Sequence, residues 1–247
     1  MRLNEATVLV VDDERELADI VAGWLEKEGS RALSADSGAR ALELLRHEKV
    51  HAIVTDIRMP EMDGTELVRT AKASGQYTPV TVSISGFSDL SAREAYDLGI
   101  EEQLAKPVAR KALISAVRRS LADREELWGE PFRLTTGPLV RLQFESLEGA
   151  IRKRQLFFGR GGFCLSSELV FPEASSMGFE LLFGEEKKLV SLQGVIRWSA
   201  PNEHLCGVEI ISVGIEGRSW LARLACVNQA LSFIPRSPNR SDGVRPR

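Results

Sequence analysis

Val8-Leu9-Val10-Val11-Asp12-Asp13-Glu14 is the stretch that decides how the first half of the chain is read. Four consecutive apolar residues, mostly β-branched, make a strand buried on both faces, because a strand with one wet face would alternate. Three acidic residues then end it abruptly. A helix follows, with Leu17, Ile20, Val21, Trp24 and Leu25 at helical spacing and Gly29 as its stop. The same pair of elements recurs along the chain. A strand over 31–35 leads to a helix capped by Ser37 and carrying Ala41, Leu42, Leu44 and Leu45. A strand over 52–55 ends at Asp56 and leads to a helix over 64–73. A strand over 80–84 ends at Ser85 and leads to a polar helix over 90–98. A short strand over 102–105 ends at Lys106, and a last helix starts near Val108.

Five strands alternating with five helices predict an α/β fold: a five-stranded, parallel, doubly wound, flavodoxin-like sheet. Such sheets bind ligands beyond the carboxyl ends of their strands. Asp12 and Asp13 follow the first strand, Asp56 the third, Ser85 the fourth and Lys106 the fifth. Five polar groups therefore share one rim. Three crowded carboxylates repel one another and call for a divalent cation. Oxygen-only ligands with open water positions suit Mg²⁺, which keeps room for phosphate oxygens. Lys106 adds a point charge for a phosphate oxygen, and Ser85 a hydrogen bond. A carboxylate attacks phosphorus to give an acyl phosphate. Asp56 is the nucleophile this arrangement selects, because it lies on the central strand between the acidic pair and Lys106. Phosphoryl transfer needs mainly positioning and neutralised charge, and this set supplies both.

The segments Val10-Val11-Asp12-Asp13-Glu14, Asp56-Ile57-Arg58-Met59-Pro60-Glu61-Met62-Asp63-Gly64, Ser85-Gly86-Phe87-Ser88-Asp89 and Lys106-Pro107 resemble the receiver domain of two-component response regulators. The resemblance covers about residues 5–125. It implies a sensor histidine kinase as phosphoryl donor and Asp56 as phosphoacceptor. It implies that Asp13 and Asp56 ligate Mg²⁺ directly, Asp12 through water, and that a backbone carbonyl near Arg58 completes the set. Ser85 and Lys106 would hold the phosphoryl group. Such a domain is a switch that forms an acyl phosphate and loses it slowly, not a turnover enzyme. Two positions depart from the family pattern. Gln103 stands where receivers carry the aromatic residue that moves with the Ser or Thr, so the switch must pass through other contacts. Residues 79–85 are one longer than the common spacing, which predicts a β-bulge. Arg58 and Phe87 are expected to overhang the phosphate, with Phe87 restricting the attacking water.

With 247 residues, 43% hydrophobic and 27% charged, the chain has globular composition and room for two domains. No apolar run approaches the roughly 18 residues of a membrane span. The stretch 1–11 is too short in apolar residues for a signal peptide, so a cytoplasmic location is expected. Three cysteines without a C-x-x-C pair, and three scattered histidines, make neither a disulfide framework nor a zinc site. Over 129–235 Lys+Arg and Asp+Glu balance at 11 against 11, which argues against a nucleic-acid-binding output.

No Pro or Gly interrupts 108–128, so the last helix is expected to run on as a connector. It is also a candidate dimer contact. The expected domains are 1–125, a helical linker end at 126–131, a second domain at 132–231, and a disordered tail at 232–247 rich in Ser, Pro and Arg. Strand patterns over 139–144, 156–158, 163–165, 178–183, 189–198 and 206–211 predict a small antiparallel β-barrel. A C-terminal helix from Gly217 would pack on it. Gly161-Gly162-Phe163-Cys164-Leu165, Gly194-Val195-Ile196-Arg197-Trp198 and Cys206-Gly207-Val208-Glu209-Ile210 resemble a PilZ domain, a family that often senses cyclic di-GMP. The family's R-x-x-x-R and D/N-x-S-x-x-G nucleotide motifs are missing. The reading is therefore a degenerate, PilZ-like barrel that signals to a downstream protein. The alternative is a cyclic di-GMP effector, with Arg152, Arg154 and Arg160 as the anion site.

Overall fold

The computed structural model describes residues 1–73, 78–86, 89–129, 138–227 and 232–235. It divides into two compact units, Met1–Asp123 and Arg124–Arg247.

In the first unit β1 (Thr7–Val11), β2 (Arg31–Ala35), β3 (Ala52–Asp56), β4 (Val80–Ser85) and β5 (Glu102–Ala105) form one parallel sheet in the order β2-β1-β3-β4-β5. The continuous apolar strands are explained by what covers them. Val8, Val10, Val54 and Val82 pack with α1 (Arg15–Glu26) and α5 (Arg110–Leu121), through Val21, Leu25, Leu113 and Val117. Leu9, Val11 and Ile53 turn the other way, onto Ala41 of α2 (Gly38–His47) and Leu67 of α3 (Gly64–Ala73). Alternate residues thus point to opposite, equally dry faces. The short α4 (Ala92–Asp97) buries Ala95 with Ile57, Val68 and Ile100. Its Ser91 and Glu94 form a reciprocal capping box. The bulge expected before Ser85 is absent. Strands β3 and β4 pair without a register shift from Ala52 with Val80 to Asp56 with Ile84.

The long connector helix is also corrected. Strand-like backbone at Ala122 (φ −63°, ψ 145°) ends α5, and a separate turn, α6 (Arg124–Leu127), follows. Neither Pro nor Gly forces this break. Trp128 does so from a distance: it is 1% exposed, its indole Nε1 donates to the Ile210 carbonyl at 3.1 Å, and its own carbonyl accepts from Val213. Burial of so large a ring outweighs the modest propensity of one more helical turn. Of the segment expected to be a linker end, Trp128 lies in the second unit's core and Leu127 packs against it, and 130–131 lie outside the described residues.

That unit contains β6 (Leu139–Phe144), β7 (Leu156–Phe158), β8 (Gly162–Ser166), β9 (Ser176–Phe183), β10 (Lys188–Ala200) and β11 (Leu205–Val213), in the order β6-β9-β10-β11-β8-β7. The six expected strands are present, but the sheet is not an antiparallel barrel. Strands β6 and β9 run parallel, and among the described residues β6 and β7 each have a single partner, so the sheet is mixed, curled and open. Parallel pairing requires a crossover, and here it spans α7 (Leu147–Arg152), β7 and β8, with α7 capped by Ser146. One face buries Phe163, Phe179, Phe183, Val190, Leu192 and Val208 beneath Leu221 and Ala222 of α8 (Ile215–Val227). Residues 232–235, expected to be disordered, are ordered: Phe233 and Ile234 are buried. Residues 236–247 lie outside the described residues. No helix among the described residues is long and apolar enough to cross a membrane.

Replacing Trp128 by Ala removes a core ring and should cost the second unit about 3–5 kcal/mol. In chemical denaturation only the transition followed by second-unit probes should move. A helical linker would instead lose little. His51 gives a pH signature. Its Nδ1 accepts the Thr7 amide at 2.9 Å, which requires the unprotonated ring. Burial, and then the charge of Lys49, hold its pKa below the ordinary 6.5. The unfolded chain therefore binds the proton first. Stability is complete above that value, falls as pH drops below it, and levels off beneath the folded pKa. Melting between pH 7.5 and 5.5 should show this fall, and His51→Gln should flatten it.

Candidate functional site

The rim is built by strand ends. β1 delivers Asp12 and Asp13, β3 delivers Asp56, β4 delivers Ser85 and β5 leads into Lys106. The pairing of Asp56 with Ile84, and the bond from the Lys106 amide to the Ser85 carbonyl (2.9 Å), bring the ends into line. The carboxylates of Asp12, Asp13 and Asp56 lie within 4.8 Å of one another. Asp12 and Asp56 are buried, and Asp13 is exposed.

Lys106 Nζ sits between the two buried acids, 2.6 Å from Asp56 Oδ2 and 3.2 Å from Asp12 Oδ2. Their other oxygens accept backbone amides: Asp12 Oδ1 from Glu14 at 3.0 Å, and Asp56 Oδ1 from Arg58 at 3.2 Å. Burial lifts the Asp12 pKa above the usual carboxylate value, against the pull of the Glu14 amide and Lys106. Burial also works against the Lys106 charge. The hydrogen bond to Asp56 and the charges of Asp12 and Asp56 together outweigh it and hold the ammonium above its ordinary pKa. One ammonium faces three carboxylates, so the cluster still has an excess of negative charge. That excess, an all-oxygen donor set and the open side at Asp13 fit Mg²⁺.

Two residues of the Asp56–Gly64 segment, Gly64 and Asp63, shape the site from behind the rim. Gly64 is a steric requirement: a Cβ there would lie 2.1 Å from the Asp56 carbonyl oxygen, and the Gly64 amide donates to Ile57 at 2.9 Å. The helix bearing Gly64 can approach the Asp56 backbone only without a side chain. Asp63 caps the same helix, with Oδ1 accepting Thr65 Oγ1 at 2.6 Å and the Glu66 amide at 2.8 Å. The D-G-T-E pattern carried that signal. Arg58 is exposed, and its Nε pairs with Asp89 Oδ1 at 2.5 Å, joining the connection after β3 to the one after β4. Gln103 is half-buried and donates to the Leu90 carbonyl at 3.2 Å, so its amide ties β5 to the segment entering α4. Phe87 lies outside the described residues.

In the second unit Arg152 and Arg154 are exposed around the end of α7, whereas Arg160 is half-buried in the turn between β7 and β8. Arg152 and Arg154 precede β7 and Arg160 follows it, and the dinucleotide alternative gains no support.

The response regulator receiver domain family matches residues 8–118. The uncharacterized transcriptional regulatory protein YesN of Bacillus subtilis is 34% identical over 120 residues, which are 47% of this chain and 32% of YesN. The transcriptional regulatory protein GlrR of Escherichia coli is 33% identical over 144 residues, 57% of this chain and 32% of GlrR. CpxR of the same organism, also a transcriptional regulatory protein, is 31% identical over 123 residues, 50% of this chain and 51% of CpxR. The chain thus spans a third to a half of these relatives. A solved response regulator receiver protein from Pseudomonas putida is 31% identical, covering 48% of this chain and 98% of that one, with a TM-score of 0.43.

Gly64→Ala places a methyl group against a backbone carbonyl that cannot yield. It should destabilise the first unit by roughly 1–3 kcal/mol in urea unfolding. An unchanged midpoint would mean that the close approach is not needed.

Proposed function

From a response regulator receiver domain at residues 8–118, we propose that this chain is a phosphorylation switch whose acceptor is Asp56, charged by a sensor histidine kinase. The observation that supports it best is Lys106 Nζ bridging Asp12 and Asp56 beside an exposed Asp13. A carboxylate oxygen of Asp56 forms the O–P bond while the P–N bond to the donor histidine breaks, and the departing imidazole takes up a proton. Lys106, already on Asp56 Oδ2, is placed to follow the charge onto the phosphoryl oxygens. Ser85, at the neighbouring strand end, donates a hydrogen bond to the same group. Asp13 and Asp56 would hold Mg²⁺ directly, Asp12 through water and Arg58 by its backbone carbonyl. The ion would neutralise phosphoryl oxygens during transfer. Slow hydrolysis of the acyl phosphate resets the switch.

The second unit is the output, and the partner we favour is a protein. Leu182 and Leu189 oppose each other across β9 and β10 and are both exposed, 37% and 43%. An apolar pair on an outer sheet face suits a protein surface better than a nucleotide. Transmission runs through Gln103 and its bond to Leu90 rather than through an aromatic rotamer.

Incubation with acetyl phosphate and Mg²⁺ should add one phosphoryl group, seen by intact mass, to the full chain and none to Asp56→Asn. Label on Asp56→Asn would refute the assignment. Mg²⁺ at ten times its Kd should stabilise the wild-type first unit by about 1.4 kcal/mol. Asp13→Asn should lose most of this gain while still folding.

A further inference from the structure

The turn Gly159-Arg160-Gly161-Gly162 joins β7 to β8 and is not part of the phosphorylation chemistry. Its glycines are not there for positive φ. They are there because something lies on them. A Cβ on Gly161 would come within 2.0 Å of the Phe233 ring. One on Gly159 would meet the Phe233 carbonyl oxygen at 2.5 Å and Pro235 Cδ at 2.9 Å. One on Gly162 would meet Ile234 Cγ1 at 3.0 Å, besides the nearer Val208 carbonyl. Two amides of the turn face the same segment: Arg160 donates to the Ser232 carbonyl at 3.1 Å and Gly161 to the Phe233 carbonyl at 3.0 Å. The Arg124 guanidinium lies 4.9 Å from the centre of the Phe233 ring. Phe233 is 2% exposed and Ile234 is fully buried.

These contacts have the form of a bound peptide rather than of a strand in the sheet. The consecutive Ser232 and Phe233 carbonyls, in a bent segment, are taken by two successive donors of the turn. Each side chain meets a separate feature: the ring a flat glycine floor below and a cation on its face, the aliphatic residue Gly162, and the proline Gly159. We propose that this turn, with Arg124, is a docking site for a bent peptide of aromatic–aliphatic–proline chemistry. The chain's own Phe233-Ile234-Pro235 closes it in cis as a displaceable plug. The partner is a protein segment carrying the same three-residue pattern, and it binds by exchange with the plug. A tethered competitor acts at high effective concentration, so a free peptide binds weakly until the plug is removed.

The test uses the full chain and a fluorescent peptide spanning residues 231–237. Anisotropy titration should show binding to Phe233→Ala/Ile234→Ala at least about ten-fold tighter than to wild type, as removal of an internal competitor requires. Adding Gly161→Ala to that variant should abolish it, because the new methyl group occupies the place of the ring. Equal affinities for wild type and the double variant, or binding that survives Gly161→Ala, would overturn the proposal. Hydrogen exchange on the wild-type chain is a second arm that does not depend on any variant folding. The Gly161 amide should exchange through an opening smaller than global unfolding, with weaker denaturant dependence than the amides of β10 and β11. Exchange only with those core amides would make the segment a fixed part of the fold and end the proposal.

Discussion

The first unit depends on one ammonium group held between two buried carboxylates. Asp12 and Asp56 end adjacent parallel strands, and strand pairing brings their side chains together whatever their charges prefer. Lys106, from the far edge of the sheet, crosses to both. Two buried anions that share one cation cost less than two alone. The cation is nonetheless outnumbered once Asp13 is counted. The rim is therefore stable enough to fold and still carries an excess of negative charge, which fits a divalent ion. Gly64 and Asp63 serve the same end, letting one helix close on the Asp56 backbone and fixing where that helix starts.

Much of this was legible because period and position are local properties. The four-residue apolar run in β1 could only be covered on both sides, and the rim residues followed by counting to each strand's end. The five rim groups come from four separate segments, so no single motif would have sufficed. The illegible parts are those where a distant contact overrides a local pattern. Residues 108–128 have every local reason to stay helical, and the break at Ala122 comes from a Trp128 socket formed by residues 82 and more positions away. The parallel pairing of β6 with β9 is equally non-local. Six alternating strand patterns say nothing of which edges meet. Helix α7 was missed although Ser146 three residues before Gly149 is a cap signal, because six residues are too few to show a period.

In the switch proposed above, the break at Ala122 bears on how a signal would leave the first unit. A continuous helix would carry a rotation or a shift along its axis. An extended residue does not, since two rotatable backbone angles lie between α5 and α6. What passes the joint must then be a change in contacts on each side of it. On the first side the chain offers Gln103, whose amide grips the Leu90 carbonyl in place of an aromatic ring that would swing. A hydrogen bond of this kind is directional and short in reach. It is made or lost over a small movement and suits a switch of small amplitude.

On the second side, Arg124 is the first residue past the joint and also the cation above Phe233. The start of the second unit and its last described stretch therefore meet at one ring. Whatever occupies the glycine turn also decides what Arg124 stacks on. If a partner peptide replaces the plug, an aromatic residue in it restores that stacking and an aliphatic one does not, a difference of about 0.5–1 kcal/mol at a partly exposed site. The joint is thus linked to partner identity through a side chain the partner itself supplies. By reciprocity, any change at the joint that withdraws Arg124 weakens the plug by the same free energy. On that proposal the second unit would have two states, plug docked and plug exchanged, and Arg124 is the side chain whose position would bias the choice between them.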